Sequence, residues 1–184
     1  ARMTETVSSC RACGAGALTP ILSLGNTPLA NALLTAEQLD RPERRYPLDL
    51  VLCTACSLVQ ITATVPSEEL FGEYLYFSSF SDTMLKHART LVERVVRERN
   101  LGANSRVVEI ASNDGYLLQY YKQDGVQVLG VEPARNIAKV ANEKGIPTVC
   151  EFFGTKIATK LAEEGQRADV IHAHNVLAHV ADLN

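Results

Sequence analysis

The stretch RVVEIASNDG, residues 106–115, decides the predicted fold. Its first six residues are mostly apolar, a pattern that predicts a strand buried inside a sheet. The small and polar residues that follow predict a tight turn that includes Gly115, and helical spacing begins at residue 116. Strand, tight turn and helix in this order bring backbone atoms close to a ligand, because ligands of such sheets bind at the carboxyl ends of the strands.

The neighbouring sequence continues the alternation of strands and helices. After the strand over 106–111, further strands are predicted over residues 126–131, 148–152 and 168–172. Helices are predicted over residues 82–100, 116–122, 134–144 and 155–164. This alternating order predicts a parallel sheet whose crossover connections are right-handed.

Two pairs of cysteines with identical spacing mark the amino-terminal third of the chain. Cys10 and Cys13 form the first pair, and Cys53 and Cys56 form the second. Two intervening residues let one tight loop direct both sulfurs at one metal ion, and four thiolates suit the closed, structural type of zinc site. The predicted fold class is therefore α/β, with a small zinc-binding module followed by a parallel Rossmann-like sheet that is truncated after about four strands.

Two other roles for these cysteines stay open, namely two disulfide bonds or small residues of an ordinary core. Disulfides suit a secreted chain, but residues 1–9 are mostly polar and do not resemble a signal peptide. Disulfides are also rare in the cytosol, so we favour zinc and a cytoplasmic location. Cys150 stands apart from the pairs and is predicted to be a small buried residue.

Composition argues against nucleic-acid and membrane partners. The chain has 18 basic and 21 acidic residues, and a net charge of −3 does not favour a large contact with a phosphate backbone. The longest uncharged stretch, residues 50–67, is interrupted by polar residues and Pro66, so it predicts strands rather than a membrane span.

The turn departs from the glycine pattern of dinucleotide-binding proteins. In the G-x-G-x-x-G frame, Ala111, Asn113 and Tyr116 occupy the glycine positions, while Gly115 falls outside them. NAD is therefore disfavoured, since a pyrophosphate needs a glycine-lined approach to the helix. Glu109 on the first strand and the small residues of the turn instead suit the ammonium group of S-adenosylmethionine.

Three further residues are predicted to contact the cofactor. Glu132 follows the second strand, where a carboxylate can accept hydrogen bonds from ribose hydroxyls, although a solvated loop carboxylate is the alternative. Phe153 follows the third strand, where adenine would lie, and stacking and core packing stay equally open there. Asn175 follows the fourth strand and can reach the amino-acid part of the cofactor.

Three histidines surround the end of the fourth strand. His172, His174 and His179 have no adjacent acidic residue in the sequence, so a metal site made by all three is disfavoured. We predict instead that backbone hydrogen bonds hold these histidines at the sheet edge.

Six segments, in order and over nearly the whole chain, resemble one family. These segments are residues 10–13, 53–56, 76–81, 109–115, 131–134 and 175–180. The chain resembles the zinc-containing deoxysugar C-methyltransferases of antibiotic biosynthesis, in particular those that build the branched amino sugar tetronitrose. That family usually has glycine where Ala111 stands, and alanine is still small.

The resemblance implies a reaction and its cofactors. S-adenosylmethionine would be the methyl donor, a Zn²⁺ ion would be structural, and the acceptor would be C3 of a dTDP-linked 3-amino-2,3,6-trideoxy-4-keto sugar. A proton alpha to the ketone can be removed by a base to give an enolate, whose carbon then takes the methyl group. The resemblance also places Tyr76 in the active site. The neighbouring Tyr74 is less favoured, and hydrophobic packing between modules is the alternative role for both tyrosines.

Three regions follow from these assignments. Residues 1–66 are a zinc-binding substrate module, residues 67–104 a helical connector with an aromatic segment, and residues 105–184 the amino-terminal part of the cofactor-binding domain. Sheets of this class have about three more strands, and the resembling family has a further carboxyl-terminal domain. We therefore expect a missing carboxyl-terminal portion of the same polypeptide as a partner, and we expect the main catalytic base there.

Two alternative functions stay open. A zinc-knuckle binding module on a Rossmann-like scaffold would need clustered lysines and arginines beside the cysteines, but Arg11 is the only such residue between the paired cysteines. An NAD-dependent oxidoreductase would need the glycines that the turn lacks.

Overall fold

The computed structural model describes residues 5–30, 32–72, 75–180 and 183. The chain divides into two units, Ala1–Leu70 with Leu177–Asn184 and Phe71–Val176. The domain boundaries predicted after residues 66 and 104 stay a prediction.

Antiparallel strands build the first unit. Its strands are β1 (Glu5–Thr6), β2 (Leu18–Thr27), β3 (Tyr46–Cys53), β4 (Val59–Ile61) and β5 (Ala63–Thr64). Strands β2, β3 and β4 form one antiparallel sheet in that order, and β1 pairs with β5. Because β3 ends at Cys53, the connection between β3 and β4 carries the second pair of cysteines.

Two helices precede the sheet of the second unit, α1 (Ser67–Phe71) and α2 (Asp82–Arg99). Helix α2 confirms the helix predicted over 82–100. The side chain of Ser81 accepts a hydrogen bond from the Met84 amide, and Asn100 ends the helix in the left-handed conformation with φ of 51°. Both caps satisfy backbone groups that a helix end leaves without partners. In the described part of the chain, no helix is both long enough and apolar enough to cross a membrane.

Four parallel strands form the sheet of the second unit. They are β6 (Arg106–Ile110), β7 (Gln127–Val131), β8 (Thr148–Val149) and β9 (Val170–Ala173), connected by α3 (Leu118–Gln123), α4 (Arg135–Glu143) and α5 (Thr155–Glu163). The strand order is β8-β7-β6-β9, which confirms the predicted parallel α/β sheet. Strands are added on one side of β6 and then on the other, and ligands bind where the order reverses in this way.

All four predicted strands are longer than those observed, and the first and third differ for clear reasons. The first strand ends before Ala111, because that residue adopts a left-handed φ of 52°. The third strand contains only Thr148–Val149, since the Glu151 amide turns back to the Val149 carbonyl at 3.2 Å. Cys150 therefore leaves the sheet and is exposed, so its predicted burial is wrong.

Both faces of the parallel sheet carry buried residues, although Ile171 of β9 is 58% exposed. Val107 packs with apolar residues of α2 and α3 on one face, whereas Val108 packs with Ile157 and Leu161 of α5 on the other. Successive strand residues point to opposite faces, so Glu109 shares the face of Val107. The sequence therefore places a carboxylate on the face that α2 and α3 cover.

Gly115 determines how closely the turn after β6 can approach Ile146. Its φ is +79°, and a Cβ atom there would lie 2.8 Å from Cγ1 of Ile146. Gly125 has a similar φ of +77°, but a Cβ atom there would meet no atom within 4 Å. The two glycines thus share a left-handed conformation and differ in packing.

We predict that Gly125→Ala lowers the free energy of unfolding by about 1–2 kcal/mol through backbone strain alone. Gly115→Ala is expected to lower it by about 1–3 kcal/mol more, because the new methyl group overlaps Ile146. Denaturant unfolding of both variants measures the difference, and equal losses would contradict the packing role of Gly115.

Candidate cofactor site and metal centre

The turn after β6 holds three alternate residues in the left-handed backbone region. Ala111, Asn113 and Gly115 have φ values of 52°, 50° and 79°. Glycine adopts such values freely and asparagine tolerates them, whereas alanine there is strained by about 1–2 kcal/mol. The positions of Ala111 and Asn113 therefore keep a conformation typical of glycine although neither residue is glycine.

The backbone amides of this turn are used inside the protein. The Ser112 amide donates to the Val131 carbonyl at 3.4 Å, and the Asn113 amide donates to the Glu132 carboxylate at 2.9 Å. The Asp114 amide donates to the Asn113 side chain at 3.0 Å, and the Gly115 amide donates to the Ser112 carbonyl at 3.2 Å. A pyrophosphate bound at such a turn needs amides that are available to it. The geometry therefore disfavours a dinucleotide, in agreement with the sequence.

Glu132 lies directly after β7 and is only 5% exposed. Its Oε2 accepts a hydrogen bond from the Asn113 amide and its Oε1 accepts one from the Ala134 amide, both at 2.9 Å. Burial raises the pKa of Glu132, and the two amides oppose that rise. Each carboxylate oxygen has a second acceptor position, so Glu132 can still receive hydroxyl donors. The alternative of a solvated loop carboxylate does not fit this burial.

The side chain of Asn113 holds the segment that contains Tyr76. Its Oδ1 accepts from the Ser78 amide at 2.8 Å, and its Nδ2 donates to the Tyr76 carbonyl at 3.1 Å. Because Oδ1 also accepts from the Asp114 amide, both of its acceptor positions are occupied. The structure thus gives this side chain a role in positioning residues 76–78, and its direct contact with a cofactor stays a prediction.

Asp114 fixes the same turn from a neighbouring position. One of its carboxylate oxygens, Oδ2, accepts from Nζ of Lys144 at 2.7 Å and also from the Ser79 hydroxyl. The carboxylate is almost completely buried, and its Oδ1 has no partner among the described residues. The sequence analysis did not single out Asp114, because its partner Lys144 is 30 residues away along the chain.

Glu109 is fully buried at the carboxyl end of β6. Its Oε1 lies 3.3 Å from Nδ1 of His174, and its Oε2 has no partner in hydrogen-bond geometry among the described residues. Burial raises the pKa of Glu109 to about 7, and the contact with His174 opposes the rise. A buried oxygen without a donor is costly, so this carboxylate suits a site that receives a cationic donor.

The prediction that backbone hydrogen bonds hold the histidines is wrong for His172 and His174. Nε2 of His172 lies 2.8 Å from the Tyr121 hydroxyl, and His174 contacts Glu109. The parallel register places Glu109 beside His172, so these side chains share one face of the sheet. His179 lies in a short 3₁₀ helix of the first unit.

Three other predicted site residues are exposed. Phe153 is 39% exposed in the loop after β8, and Tyr76 is 48% exposed. Asn175 follows β9 with a left-handed φ of 53°. Contacts of these residues with a cofactor or substrate stay predictions, and Tyr74 lies outside the described residues.

The four paired cysteines converge in the first unit. Their Sγ atoms all lie within 4.8 Å of one another, with 3.5 Å between Cys10 and Cys56 and 3.7 Å between Cys13 and Cys53. Four sulfurs about 2.3 Å from a zinc ion lie about 3.8 Å apart in a tetrahedron, so the donor set fits zinc. The cysteines form no disulfide. A hydrogen bond from the Cys13 amide lowers the pKa of Cys10 to about 6, which favours its thiolate.

The two cysteine loops have the same backbone geometry. Gly14 and Ser57, each four residues after the first cysteine of its pair, have φ values of 74° and 65°. The amide of each donates to the carbonyl of that first cysteine, Cys10 or Cys53, at 2.8 Å. Glycine at position 14 signals this conformation in the sequence, whereas Ser57 gives no such signal.

Gln60 joins the strand after the second loop to the first loop. Its side chain is buried, its Oε1 accepts from the Arg11 amide at 2.9 Å, and its Nε2 donates to the Ser9 carbonyl at 3.2 Å. Both ends of the carboxamide are therefore satisfied inside the module. Sequence reasoning missed this residue, because a single glutamine in a strand carries no signal of its own.

Comparison with known families assigns both parts of the chain. A parallel sheet with buried carboxylates at its carboxyl edge defines an α/β domain of the kind that binds nucleotide-like cofactors. Residues 83–184 match the family described as "Methyltransferase domain", and residues 10–71 match the one described as "Putative zinc binding domain". The chain belongs to the methyltransferase-domain family.

Two curated relatives and two solved structures are similar to the chain. C-methyltransferase NovU of Streptomyces niveus is 34% identical over 182 residues, which are 99% of this chain and 43% of that protein. The ubiquinone biosynthesis O-methyltransferase of Bartonella quintana (strain Toulouse) is 30% identical over 82 residues, 44% of this chain and 33% of that protein. The chain therefore spans less than half the length of the curated relatives it matches.

The solved structures match at low scores. The plantazolicin methyltransferase BpumL in complex with SAH has a TM-score of 0.34 and 18% identity, over 58% of this chain and 47% of that chain. A SAM dependent methyltransferase from Archaeoglobus fulgidus has a TM-score of 0.28 and 22% identity, over 35% of this chain and 29% of that chain.

These comparisons confirm the predicted order of a zinc-binding region followed by a methyltransferase domain. The predicted cofactors, S-adenosylmethionine and a structural zinc ion, agree with the two family matches and with the cysteine cluster. The alternatives of an NAD-dependent oxidoreductase and of a non-enzymatic binding module receive no support.

We predict that Cys53→Ser lowers bound zinc and destabilises the first unit, because one of four thiolates is lost. Cys150→Ser is the matched control, since Cys150 is exposed and lies outside the cluster. Metal analysis of both purified variants measures the zinc content. A full complement of zinc in Cys53→Ser would contradict the assignment of these ligands.

Proposed function

We propose that this protein transfers a methyl group from S-adenosylmethionine to C3 of a dTDP-linked 3-amino-2,3,6-trideoxy-4-keto hexose through an enolate. Support comes from the similarity to a C-methyltransferase over 99% of the chain and from the motifs that resemble zinc-containing deoxysugar C-methyltransferases. The observation that carries the proposal is the pair of buried carboxylates, Glu109 and Glu132, at the carboxyl ends of the adjacent strands β6 and β7.

In this proposal, the two carboxylates hold opposite ends of the methyl donor. When bound, S-adenosylmethionine supplies a methyl group on a positively charged sulfur. Glu132 accepts hydrogen bonds from the ribose hydroxyls with the acceptor positions that the Asn113 and Ala134 amides leave. Glu109 offers its unpartnered Oε2 to the ammonium group. Phe153 and Asn175 extend the site toward the adenine and the amino-acid part.

Ala111, Asn113 and Gly115 shape the turn on which the donor rests. Their left-handed conformations bring the backbone between Glu109 and Glu132. The Asn113 amide fixes Glu132, and its side chain fixes the backbone of Tyr76. A single asparagine thus connects the cofactor side of the proposed site to the residue that we assign to the substrate side.

The acceptor chemistry requires a base, a donor to the enolate oxygen and the exclusion of water. Loss of the C3 proton places negative charge on the oxygen at C4, and a hydrogen-bond donor aimed at that oxygen lowers the barrier. We assign this role to the hydroxyl of Tyr76. We further propose that the zinc-binding module contributes to sugar binding, and that the protein works in a reducing cytoplasm that keeps its thiols free.

The reaction itself tests this proposal. The full-length polypeptide that contains this chain, the keto sugar nucleotide and a donor that carries a deuterated methyl group should give a product with the label on C3, located by mass spectrometry and NMR. In D₂O without methyl donor, the C3 proton of the sugar should exchange with solvent, because enolate formation precedes transfer. A methyl group on oxygen or nitrogen, or no transfer to the keto sugar, would contradict the proposal.

We predict that Tyr76→Phe in the full-length enzyme lowers kcat and kcat/KM together, on the order of 100-fold, while affinity for S-adenosylhomocysteine changes little. One donor to a developing oxyanion typically contributes this much, and an interaction made mainly in the transition state affects both constants. Phenylalanine keeps the ring, so the midpoint of thermal unfolding should be unchanged. Steady-state kinetics measure both constants. A wild-type rate would contradict the assigned role of the Tyr76 hydroxyl and indicate that the residue only packs.

A further inference from the structure

A connected series of side chains leads from helix α3 to the unpartnered oxygen of Glu109. The Tyr121 hydroxyl lies 2.8 Å from Nε2 of His172, the rings of His172 and His174 stack with centroids 5.2 Å apart and planes 16° from parallel, and Nδ1 of His174 lies 3.3 Å from Oε1 of Glu109. Strand register fixes this series, since Glu109 pairs directly with His172. The methyl-transfer scheme above gives no role to the three other members of this series, Tyr121, His172 and His174.

Burial assigns the proton positions along this series. Burial raises the pKa of Tyr121 to about 12, so the phenol keeps its proton and donates to His172. Burial also lowers the pKa of His172 to about 4, so that ring is neutral and can accept at Nε2. A neutral, hydrogen-bonded His172 is therefore a fixed platform against which the ring of His174 stacks.

The contact between Glu109 and His174 shifts their pKa values in opposite directions. The hydrogen bond to Glu109 raises the pKa of His174, whereas the same contact lowers the pKa of Glu109 against the larger effect of burial. Side-chain exposure is 37% for His174 and 1% for Glu109, so the histidine is the member that exchanges protons with solvent.

Several other charged or titratable groups face this pair. Tyr116, in the turn that precedes α3, interacts with Glu109 and lowers its pKa, whereas Glu132 adds a repulsive charge from the end of β7. His174, directly after β9, adds to the lowering of the pKa of His172 in that strand, and Tyr121 faces Glu109 from α3. His174 is the one group among these that can carry a positive charge next to Glu109 at a pH near 7.

We propose that His174 is a positioning residue for the methyl donor. It holds Oε1 of Glu109, and its positive charge favours the ionised form of this carboxylate. Oε2 can then accept a hydrogen bond from the ammonium group of the cofactor. This inference rests on the proposed function and deepens it. Glu109 contacts the ligand, and His174 acts through Glu109.

The proposal predicts that the effect of His174 on cofactor affinity depends on pH. In acidic solution, a pKa of about 7 leaves only part of Glu109 ionised even beside His174, and protonated His174 enlarges this ionised fraction, which can accept an ammonium donor. Without the histidine, burial leaves Glu109 protonated at that pH, and its oxygen no longer attracts a cation. In alkaline solution, Glu109 is ionised in both proteins, so the histidine matters little there.

Calorimetric titration of the full-length protein with S-adenosylhomocysteine between pH 5.5 and pH 8.5 tests the proposal. We expect His174→Gln to bind about five-fold or more weakly than wild type at pH 6 and within two-fold at pH 8.5, a difference of about 1 kcal/mol at the acidic end. His87→Gln is the matched control, because His87 is an exposed residue of helix α2. Its affinity should follow wild type at every pH. A second ligand, 5′-methylthioadenosine, lacks the amino-acid part and its ammonium group, so it should bind His174→Gln and wild type alike.

An NMR titration of the His174 ring in the ligand-free protein provides a readout that does not involve activity. The midpoint should lie above the ordinary value for histidine and should fall in Glu109→Gln, because the carboxylate that favours the imidazolium is gone. A midpoint that does not move would overturn the coupling.

The outcomes separate this inference from the proposed function. Equal affinities of His174→Gln and wild type across the pH range, or an equal loss at every pH and for both ligands, would overturn the role of His174 while leaving methyl transfer intact. Failure of the wild-type protein to bind S-adenosylhomocysteine would contradict the proposed function and, with it, this inference.

Discussion

The hydrogen bonds that Glu132 accepts from the Asn113 and Ala134 amides are the constraint on which the candidate site depends. A carboxylate that is 5% exposed must be paired, and these amides pair it. They also tie the turn after β6 to the beginning of α4. With the turn fixed in this way, the Asn113 side chain holds the backbone of Tyr76, and Asp114 remains buried against Lys144. One carboxylate thus fixes the turn after β6, the start of α4 and, through Asn113, the backbone of Tyr76.

The first unit depends on its metal for a related reason. Among its described residues, only five are buried, namely Cys10, Val51, Cys53, Gln60 and Ala63. So small a core contributes little free energy of folding, and units of this kind are commonly stabilised by a metal or by disulfides. Four convergent thiols with no disulfide among them indicate that a metal stabilises this unit. The zinc site is therefore part of the fold of this unit rather than an addition to it.

Sequence patterns predicted the features that depend on local spacing. The cysteine pairs, helix α2 and the parallel sheet follow from periodicity within short windows, and Glu132 follows from its place after a strand. Features that depend on strand register or on backbone conformation were not predicted. The contact of His174 with Glu109 requires the pairing of β6 with β9, and the burial of Asp114 requires Lys144 from a distant segment. The left-handed conformations of Ala111 and Ser57 could not be predicted from the residue types, because alanine and serine rarely adopt them. The early end of β8 exposes Cys150, and the sequence pattern did not indicate this end.

The affinity of Glu132→Gln for S-adenosylhomocysteine tests the central claim most directly. Glutamine removes the charge-assisted acceptor for the ribose hydroxyls and, because its Nε2 is a donor, also loses one of the two backbone amides that the carboxylate accepts from. These losses together are expected to cost about 1.5–3 kcal/mol of binding free energy, roughly a 10- to 150-fold weaker affinity. Glu143→Gln, at an exposed position of α4, provides the comparison. The account predicts that calorimetry finds this loss in Glu132→Gln alone, with the folded state retained. An affinity equal to that of wild type in a folded Glu132→Gln protein would contradict it.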